Sequence, residues 1–237
     1  MDAIETNVNP WNRYAVEYSQ WISQREPTLV QPGSIIGRML ECLGALAGRE
    51  VLDAACGEGY LARVLAAEGA RVTGLDVSPR LIELARAKDP DGSIIYQVAD
   101  LSRPLPAFEG RFDRIGSHLA LNDVPDYRGF ATTLASLAKP GGRVVLAFNN
   151  PYSSIVRDHV KDYFASGTIG VYGGMTRQLG GAVHYFHRTL EDYLDAFLAT
   201  GLRLIKLADV DSAHVQWPYL PEGYTFPVFM ILAFVKP

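Results

Sequence analysis

Apolar positions recur along the chain in short blocks, and the period of each block predicts its element. Residues 51–54 form an apolar run closed by a glycine-bearing turn, and 61–65 continue as a helix with one apolar face. Residues 71–75 predict a second strand that opens into a turn at 76–79. Ser78 suits a helix N-cap and Pro79 a first helical turn, so 80–88 is predicted helical. Residues 94–98 and 113–117 read as the third and fourth strands, and 144–148 as the fifth. Between the last two, 130–138 has helical spacing and stops at Pro140-Gly141-Gly142, read as a breaker. This βαβ rhythm predicts a parallel sheet with helices on both faces.

After Phe148 the rhythm changes. Residues 153–164 read as helix, and 166–183 carry six glycines, a stretch long enough to act as a lid or binding loop. Thr189 is a candidate N-cap for a helix over 189–199. The apolar segments 202–207 and 228–235 have no helix between them and are expected to pair as an antiparallel hairpin at the sheet edge. The whole chain, 1–237, is read as one domain, with N-terminal helices (9–46) and a cap (151–188) covering the site.

Composition narrows the class. Hydrophobic residues make up 48% and charged residues 20% of 237, which excludes a disordered chain. The 22 Lys and Arg against 26 Asp and Glu leave a charge of −4 and no basic block, so neither nucleic acid nor anionic membrane is expected as partner. Two cysteines, Cys42 and Cys56, offer no disulfide scaffold and no metal-ligand spacing. The first ten residues lack an apolar h-region, and the apolar run 226–235 is too short to cross a bilayer of about 30 Å. A cytoplasmic protein is the expectation.

The chemistry concentrates in 51–60, V-L-D-A-A-C-G-E-G-Y: a strand, a tight turn and a helix start. Gly57 and Gly59 let a ligand approach the backbone, and Asp76, ending the next strand, can accept the hydroxyl protons of a ribose. An adenosine-containing cofactor is predicted at the carboxyl ends of the strands. Gly57, Gly59 and Ala62 also satisfy a loose dinucleotide pattern, G-x-G-x-x-A. Asp53 opposes that reading, because a carboxylate aimed into the loop repels a pyrophosphate. It tolerates an ammonium and a sulfonium, and S-adenosylmethionine carries both.

These residues resemble the first motif of class I S-adenosylmethionine-dependent methyltransferases, D-x-G/A-x-G-x-G, with Ala55 in place of the commoner first glycine. Further resemblances follow in order: G-L-D-V-S at 74–78 as the ribose-acid strand end, and A-D-L at 99–101 with P-L-P at 104–106 as the segment holding the adenine amino group. F-D-R-I at 112–115 through Leu121 is similar to the fourth strand facing the methionine, and L-A-K-P-G-G-R at 137–143 to the turn before the fifth. The resemblance covers 51–148 and is nearest to the type-11 group, which includes ubiquinone C-methyltransferase-like and natural-product tailoring enzymes. It implies an α/β Rossmann-like fold: a seven-stranded, mostly parallel sheet with an antiparallel C-terminal strand, helices on both faces, and a small cap. It implies S-adenosylmethionine as cofactor, S-adenosylhomocysteine as product, and a cofactor site of Tyr14, Tyr18, Asp53, Ala55, Gly57, Gly59, Asp76, Val77, Asp100, Leu101 and Ser117.

Tyr14 and Tyr18 stand at i, i+4, either closing over the cofactor's carboxylate or packing with Trp11 and Trp21. His118, after the fourth strand, and His187, beside His184 at the end of the cap, are the candidate catalytic groups, with His187 the expected substrate-side base. The cap aromatics Tyr152, Tyr163, Phe164, Tyr172, Tyr185 and Phe186 point to an apolar or planar acceptor. Trp217, Tyr219 and Tyr224 are further candidates to line its mouth, although core packing explains such residues equally well. Asn149-Asn150-Pro151-Tyr152 resembles the N-P-P-Y motif of amino-group methyltransferases, but it follows the fifth strand and reads as a turn. Methylation of a small molecule by a monomer or homodimer is the favoured reading. The alternatives are an RNA or protein methyltransferase, a non-catalytic module of the same fold, and a nicotinamide-dependent reductase.

Overall fold

A computed structural model describes residues 10–24, 30–153, 160–169, 185–211 and 224–237. Its strands are β1 (Glu50–Ala54), β2 (Arg71–Asp76), β3 (Ile95–Val98), β4 (Phe112–His118), β5 (Ala138–Asn149), β6 (Gly167–Ile169), β7 (Tyr185–His187), β8 (Arg203–Val210) and β9 (Phe229–Val235). Seven of them form one sheet in the order β3-β2-β1-β4-β5-β9-β8, and β6 pairs with β7 separately. Strands β1 to β5 run parallel, and β9 is antiparallel to both its neighbours. The expected hairpin forms, but its later strand lies inside the sheet, leaving β8 at the edge.

Strand residues alternate between two cores, as a sheet covered on both faces requires. Val51, Val72, Val145, Ile231 and Ala233 pack with the helices Ile35–Leu43 and Tyr60–Ala67 on one face. Leu52, Ile115, Leu146, Leu232 and Phe234 pack with Tyr127–Leu137 and Leu190–Leu198 on the other. The predicted caps are present: the Ser78 hydroxyl accepts from the Leu81 N–H (3.2 Å), and Thr189 forms a capping box with Asp192. The preceding helix ends at Leu137, close to the predicted 138, but Pro140-Gly141-Gly142 is not the breaker expected before the strand: it lies inside it, since β5 starts at Ala138. Gly141 takes φ +73°, the β4–β5 register shifts beside it, and paired hydrogen bonds to Lys236 hold the segment as a bulge.

The short helices Pro10–Arg13 and Ala15–Ser23 lie against the helix Pro79–Ala87. Asn12 Oδ1 fastens them by accepting from Ser78 Oγ (2.6 Å) and from the Arg80 N–H (3.3 Å). The expectation of helix over 153–164 is not met where the chain is described: 160–166 is turn and irregular chain, and 154–159 lie outside the described residues. Tyr172, His184, Trp217 and Tyr219 lie outside them as well.

One buried side chain joins the cap strand to the sheet. Asn122 Nδ2 donates to the hydroxyls of Tyr185 (3.1 Å) and Tyr193 (2.9 Å), while its Oδ1 accepts from the Asn149 N–H (3.0 Å) and Nδ2 (3.3 Å). Replacing it with leucine strands several buried polar groups, each worth about 1–3 kcal/mol. We expect Asn122→Leu to lower unfolding stability by about 3 kcal/mol in urea denaturation; a loss below about 1 kcal/mol would show that the network does not fasten the cap.

Candidate active site

The carboxyl ends of β1, β2 and β3 each deliver an acid. Asp53 is on β1, Asp76 ends β2, and Asp100 follows β3, where the Ala99 N–H bonds to the Asp76 carbonyl (2.9 Å). With strands about 4.8 Å apart, the row runs for roughly 10 Å along the edge of the sheet. Ser117 and His118 end β4 on the other side of β1, so the row meets the point where strand order reverses, the usual ligand crevice of open α/β sheets.

Each acid is held differently. Asp76 Oδ2 accepts from the Gly57 N–H (2.8 Å) and Oδ1 from the Ser78 N–H (2.8 Å). Burial still raises its pKa, against the pull of those bonds. Asp53 is 1% exposed. It accepts from the Ala62 N–H, and its Oδ2 has no partner among the described residues. Burial pushes its pKa to about 8, with Asp76 and Glu58 adding to the rise and the Ala62 bond and Arg63 opposing it. Asp100 is exposed, turned by bonds from the Ser102 N–H (2.9 Å) and Oγ (2.6 Å) to its Oδ1. Leu101 is buried, and Val77, 48% exposed, offers an apolar face beside Asp76.

The turn between β1 and its helix is conformationally constrained. Ala55 takes φ +58°, a left-handed conformation costing an L-residue about 1–2 kcal/mol. A side chain on Gly57 (φ +55°) would meet the Tyr18 ring at 3.4 Å. Glycine is needed at 59 (φ +83°) for an internal reason as well: a Cβ there would lie 2.8 Å from Tyr96 Cζ, so the position is closed by β3. Cys56 is a buried filler, its thiol pushed up by burial. Glu58 is also buried, but it is neutralised by Arg63 (3.2 Å) and Lys88.

A narrow cavity lies under this turn, lined by Tyr18, Ile22, Asp53, Ala55, Cys56, Glu58, Tyr60, Leu61 and His118. Its volume of about 20 Å³ has room for about one water. Tyr18 closes it from the N-terminal helix, stacked edge-on against Trp11 (5.4 Å), and burial raises its hydroxyl pKa. Tyr14 is not among the lining residues; it sits at the break between the two short helices, with Arg13 over its ring (5.6 Å). His118 Nε2 and Ser117 Oγ are buried with no partner among the described residues, and burial lowers the His118 pKa to about 4.

His187 is buried on β7, facing inward from the cap strand. Its Nε2 lies 2.8 Å from the Tyr163 carbonyl, which only accepts, so Nε2 carries the proton. Nδ1 is left without a partner among the described residues. The sequence reading missed two residues here. Asp123 ends the short 3₁₀ turn Leu121–Asp123 after β4, and burial pushes its pKa to about 8, with Arg188 opposing. Arg188 donates to the carbonyls of Leu121 (3.3 Å), Val124 (2.7 Å) and Pro125 (2.8 Å) and lies over the Tyr127 ring (4.3 Å). The available signal was N-D-V-P-D directly after a parallel strand, an acid at a carboxyl end like the other three.

Among the described residues no cluster of His, Cys, Asp or Glu has the arrangement of a metal site, and no helix is long and apolar enough to cross a membrane. Residues 52–146 match a family described as a methyltransferase domain. The chain is 37% identical over 112 residues to a ubiquinone biosynthesis O-methyltransferase of Alkalilimnicola ehrlichii, covering 46% of this chain and 45% of the relative. A demethylmenaquinone methyltransferase of Tropheryma whipplei is 38% identical over 111 residues, covering 46% of each. The chain thus spans just under half the length of these curated relatives. The crystal structure of an S-adenosylmethionine dependent methyltransferase from Mesorhizobium loti superposes with TM-score 0.69 at 26% identity, covering 84% of this chain and 96% of that one. With its strand order, its glycine turn over a buried acid and these likenesses, the chain is similar to the class I S-adenosylmethionine-dependent methyltransferases, with the methyltransferase-domain match lying at residues 52–146.

Proposed function

We propose that this chain transfers a methyl group from S-adenosylmethionine to a small, planar, ring-hydroxylated acceptor. The observation that carries the donor half is Asp53: a buried carboxyl with an unpartnered oxygen beneath a glycine turn suits a cation and opposes a pyrophosphate. The acceptor half is supported by the aromatic cap residues, among them Tyr152 stacked on Tyr163 (5.0 Å), and by the quinone-related activities named for two relatives.

The donor supplies a methyl group already activated on a sulfonium. The protein's tasks are therefore to hold it, to align the acceptor and to exclude water. Asp53 would receive the ammonium end. Asp76 keeps lone pairs beyond its two backbone bonds, enough to accept from ribose hydroxyls. Val77 and Leu101 would flank the adenine, and Asp100 would take its amino group, with Gly57, Gly59 and Ala55 supplying the backbone beneath. Ser117 and His118 face the methionine end. The Ala15–Ser23 helix must lift for that end to enter, since the cavity under Tyr18 holds about one water, and Tyr18 then closes the site again, with Tyr14 at its hinge.

Titration calorimetry tests the donor assignment. We expect S-adenosylmethionine to bind and a reduced nicotinamide dinucleotide not to; the reverse result overturns the reading. Asp76→Ala is expected to weaken binding at least about tenfold, about 1.4 kcal/mol.

Asp53 adds a pH signature. It is protonated below about 8 in the free protein, and an arriving cation favours the carboxylate. Binding at pH 7 should therefore release a proton, and affinity should climb with pH and level off above about 8. Asp53→Asn should remove that proton from the difference between buffers of unlike ionisation enthalpy; an unchanged release would assign it elsewhere, with Asp76 and Glu58 the nearest acids.

A further inference from the structure

We propose that Asp123 is the catalytic base of this site: its carboxylate takes the proton of the acceptor's ring hydroxyl as the methyl group is transferred. The proposal rests on the methyltransferase reading above and adds to it the residue that makes the acceptor nucleophilic.

The argument is first one of place. Asp123 ends the turn directly after β4, five residues beyond His118, which lines the cofactor cavity. On one side its charge reaches the hydroxyl of Tyr18, the residue that closes that cavity. On the other it reaches Tyr193 and Arg188, behind the cap strand β7. The turn that carries the carboxyl thus joins the end of β4, where His118 lines the cavity, to β7 through Asn122 and Tyr185 (3.1 Å), and an acceptor aligned with a methyl group would lie along that seam.

The argument is next one of availability. Asp123 is half-buried, and among the described residues its carboxylate has neither hydrogen bond nor ion pair. Arg188 is close enough to act on it, yet its donors go to the carbonyls of Leu121, Val124 and Pro125. The guanidinium thus fixes the turn that carries the acid without consuming the acid. The adjacent Asn122 is fully engaged by Tyr185, Tyr193 and Asn149, which makes the turn rigid. Among the described residues Arg188 acts on the Asp123 carboxyl, which in turn acts on the hydroxyls of Tyr18 and Tyr193.

The other candidate bases are less suited. His118, with its pKa pulled to about 4, is a weak base at neutral pH. His187 carries its proton on Nε2 toward Tyr163, leaving only a buried Nδ1. Asp123, raised to about 8, matches a base working near neutrality.

The step balances. The acceptor's O–H bond breaks and the proton goes to Asp123. The oxygen's electron pair forms the new O–CH₃ bond, and the pair of the broken methyl–sulfur bond stays on sulfur. The proton then leaves Asp123 for solvent, one per methyl transferred.

The test uses the full chain with catechol, hydroquinone and 4-nitrocatechol, the last of which ionises unaided near neutral pH. Calorimetry with S-adenosylhomocysteine first isolates the cofactor site: Asp123→Asn should keep the wild-type affinity within about twofold. No binding to either protein would overturn the methyltransferase reading itself. With binding intact, Asp123→Asn should lower kcat on catechol or hydroquinone at least about 100-fold, the usual span of general-base catalysis. The loss should shrink to within about tenfold on 4-nitrocatechol, and Asp123→Glu should restore part of kcat. A purely structural role would lower all three alike. Equal losses, a loss under about threefold on catechol, or a wild-type protein that binds cofactor but methylates none of the three overturns the proposal.

Discussion

The carboxylate of Asp76 bonds at once to the turn after β1 and to the first turn of the helix after β2. Much of the site depends on that double attachment. It sets the glycine turn against the end of β2, and Ser78, whose N–H it holds, is the residue that Asn12 grips from the N-terminal helix. One acid thereby positions the floor of the crevice, the strand beside it and, through Asn12, the segment that covers it. Two charge-free N–H donors do not offset its burial, so its pKa rises. A hydroxylated ligand would meet that residual demand for hydrogen-bond donors.

The acids around the crevice follow two regimes. Glu58, as buried as Asp53, is paired with Arg63 and Lys88 and contributes to the architecture. Asp53 and Asp123 are raised to about 8 and have free carboxylate oxygens among the described residues. Leaving a buried carboxyl unpaired costs stability, and groups so perturbed cluster at functional sites. The chain's excess of acids over bases reads differently in that light, since part of it lies where a cation is expected to bind.

Polar contacts join the turn after β4 to β7 and to the helix after it. Asn122, within the 3₁₀ turn after β4, holds Tyr185, Tyr193 and Asn149, and Arg188 binds the carbonyls of Leu121 in the turn and of Val124 and Pro125 just beyond it. Two hydrogen-bond systems meeting on a three-residue turn make it rigid, and rigidity is what a reacting group needs. The strand β7 is tied to the same place through Tyr185.

The sequence alone determined the strand–turn–helix units of 51–148 and the helix after Thr189, because apolar periodicity, caps at Ser78 and Thr189 and glycine turns are local properties of the chain. It also marked Asp53, Asp76 and Asp100 as acids at successive strand ends, since parallel strands deliver their last residues to one edge. Tertiary structure decided the rest. It showed that Gly59 must be glycine because Tyr96 from β3 occupies the space of its Cβ, and that Pro140-Gly141-Gly142 bulges within a strand because Lys236 bonds to it. It put Tyr18 in the lining of the cavity but not Tyr14, which is the N-cap residue of the Ala15–Ser23 helix with its carbonyl accepting from the Tyr18 N–H. Above all it singled out Asp123, an ordinary loop acid in the sequence. Its character comes from what surrounds it, Arg188, Tyr18 and Tyr193, three groups 65, 105 and 70 positions away in the chain. Burial and electrostatic environment are properties of the fold, and no local pattern encodes them.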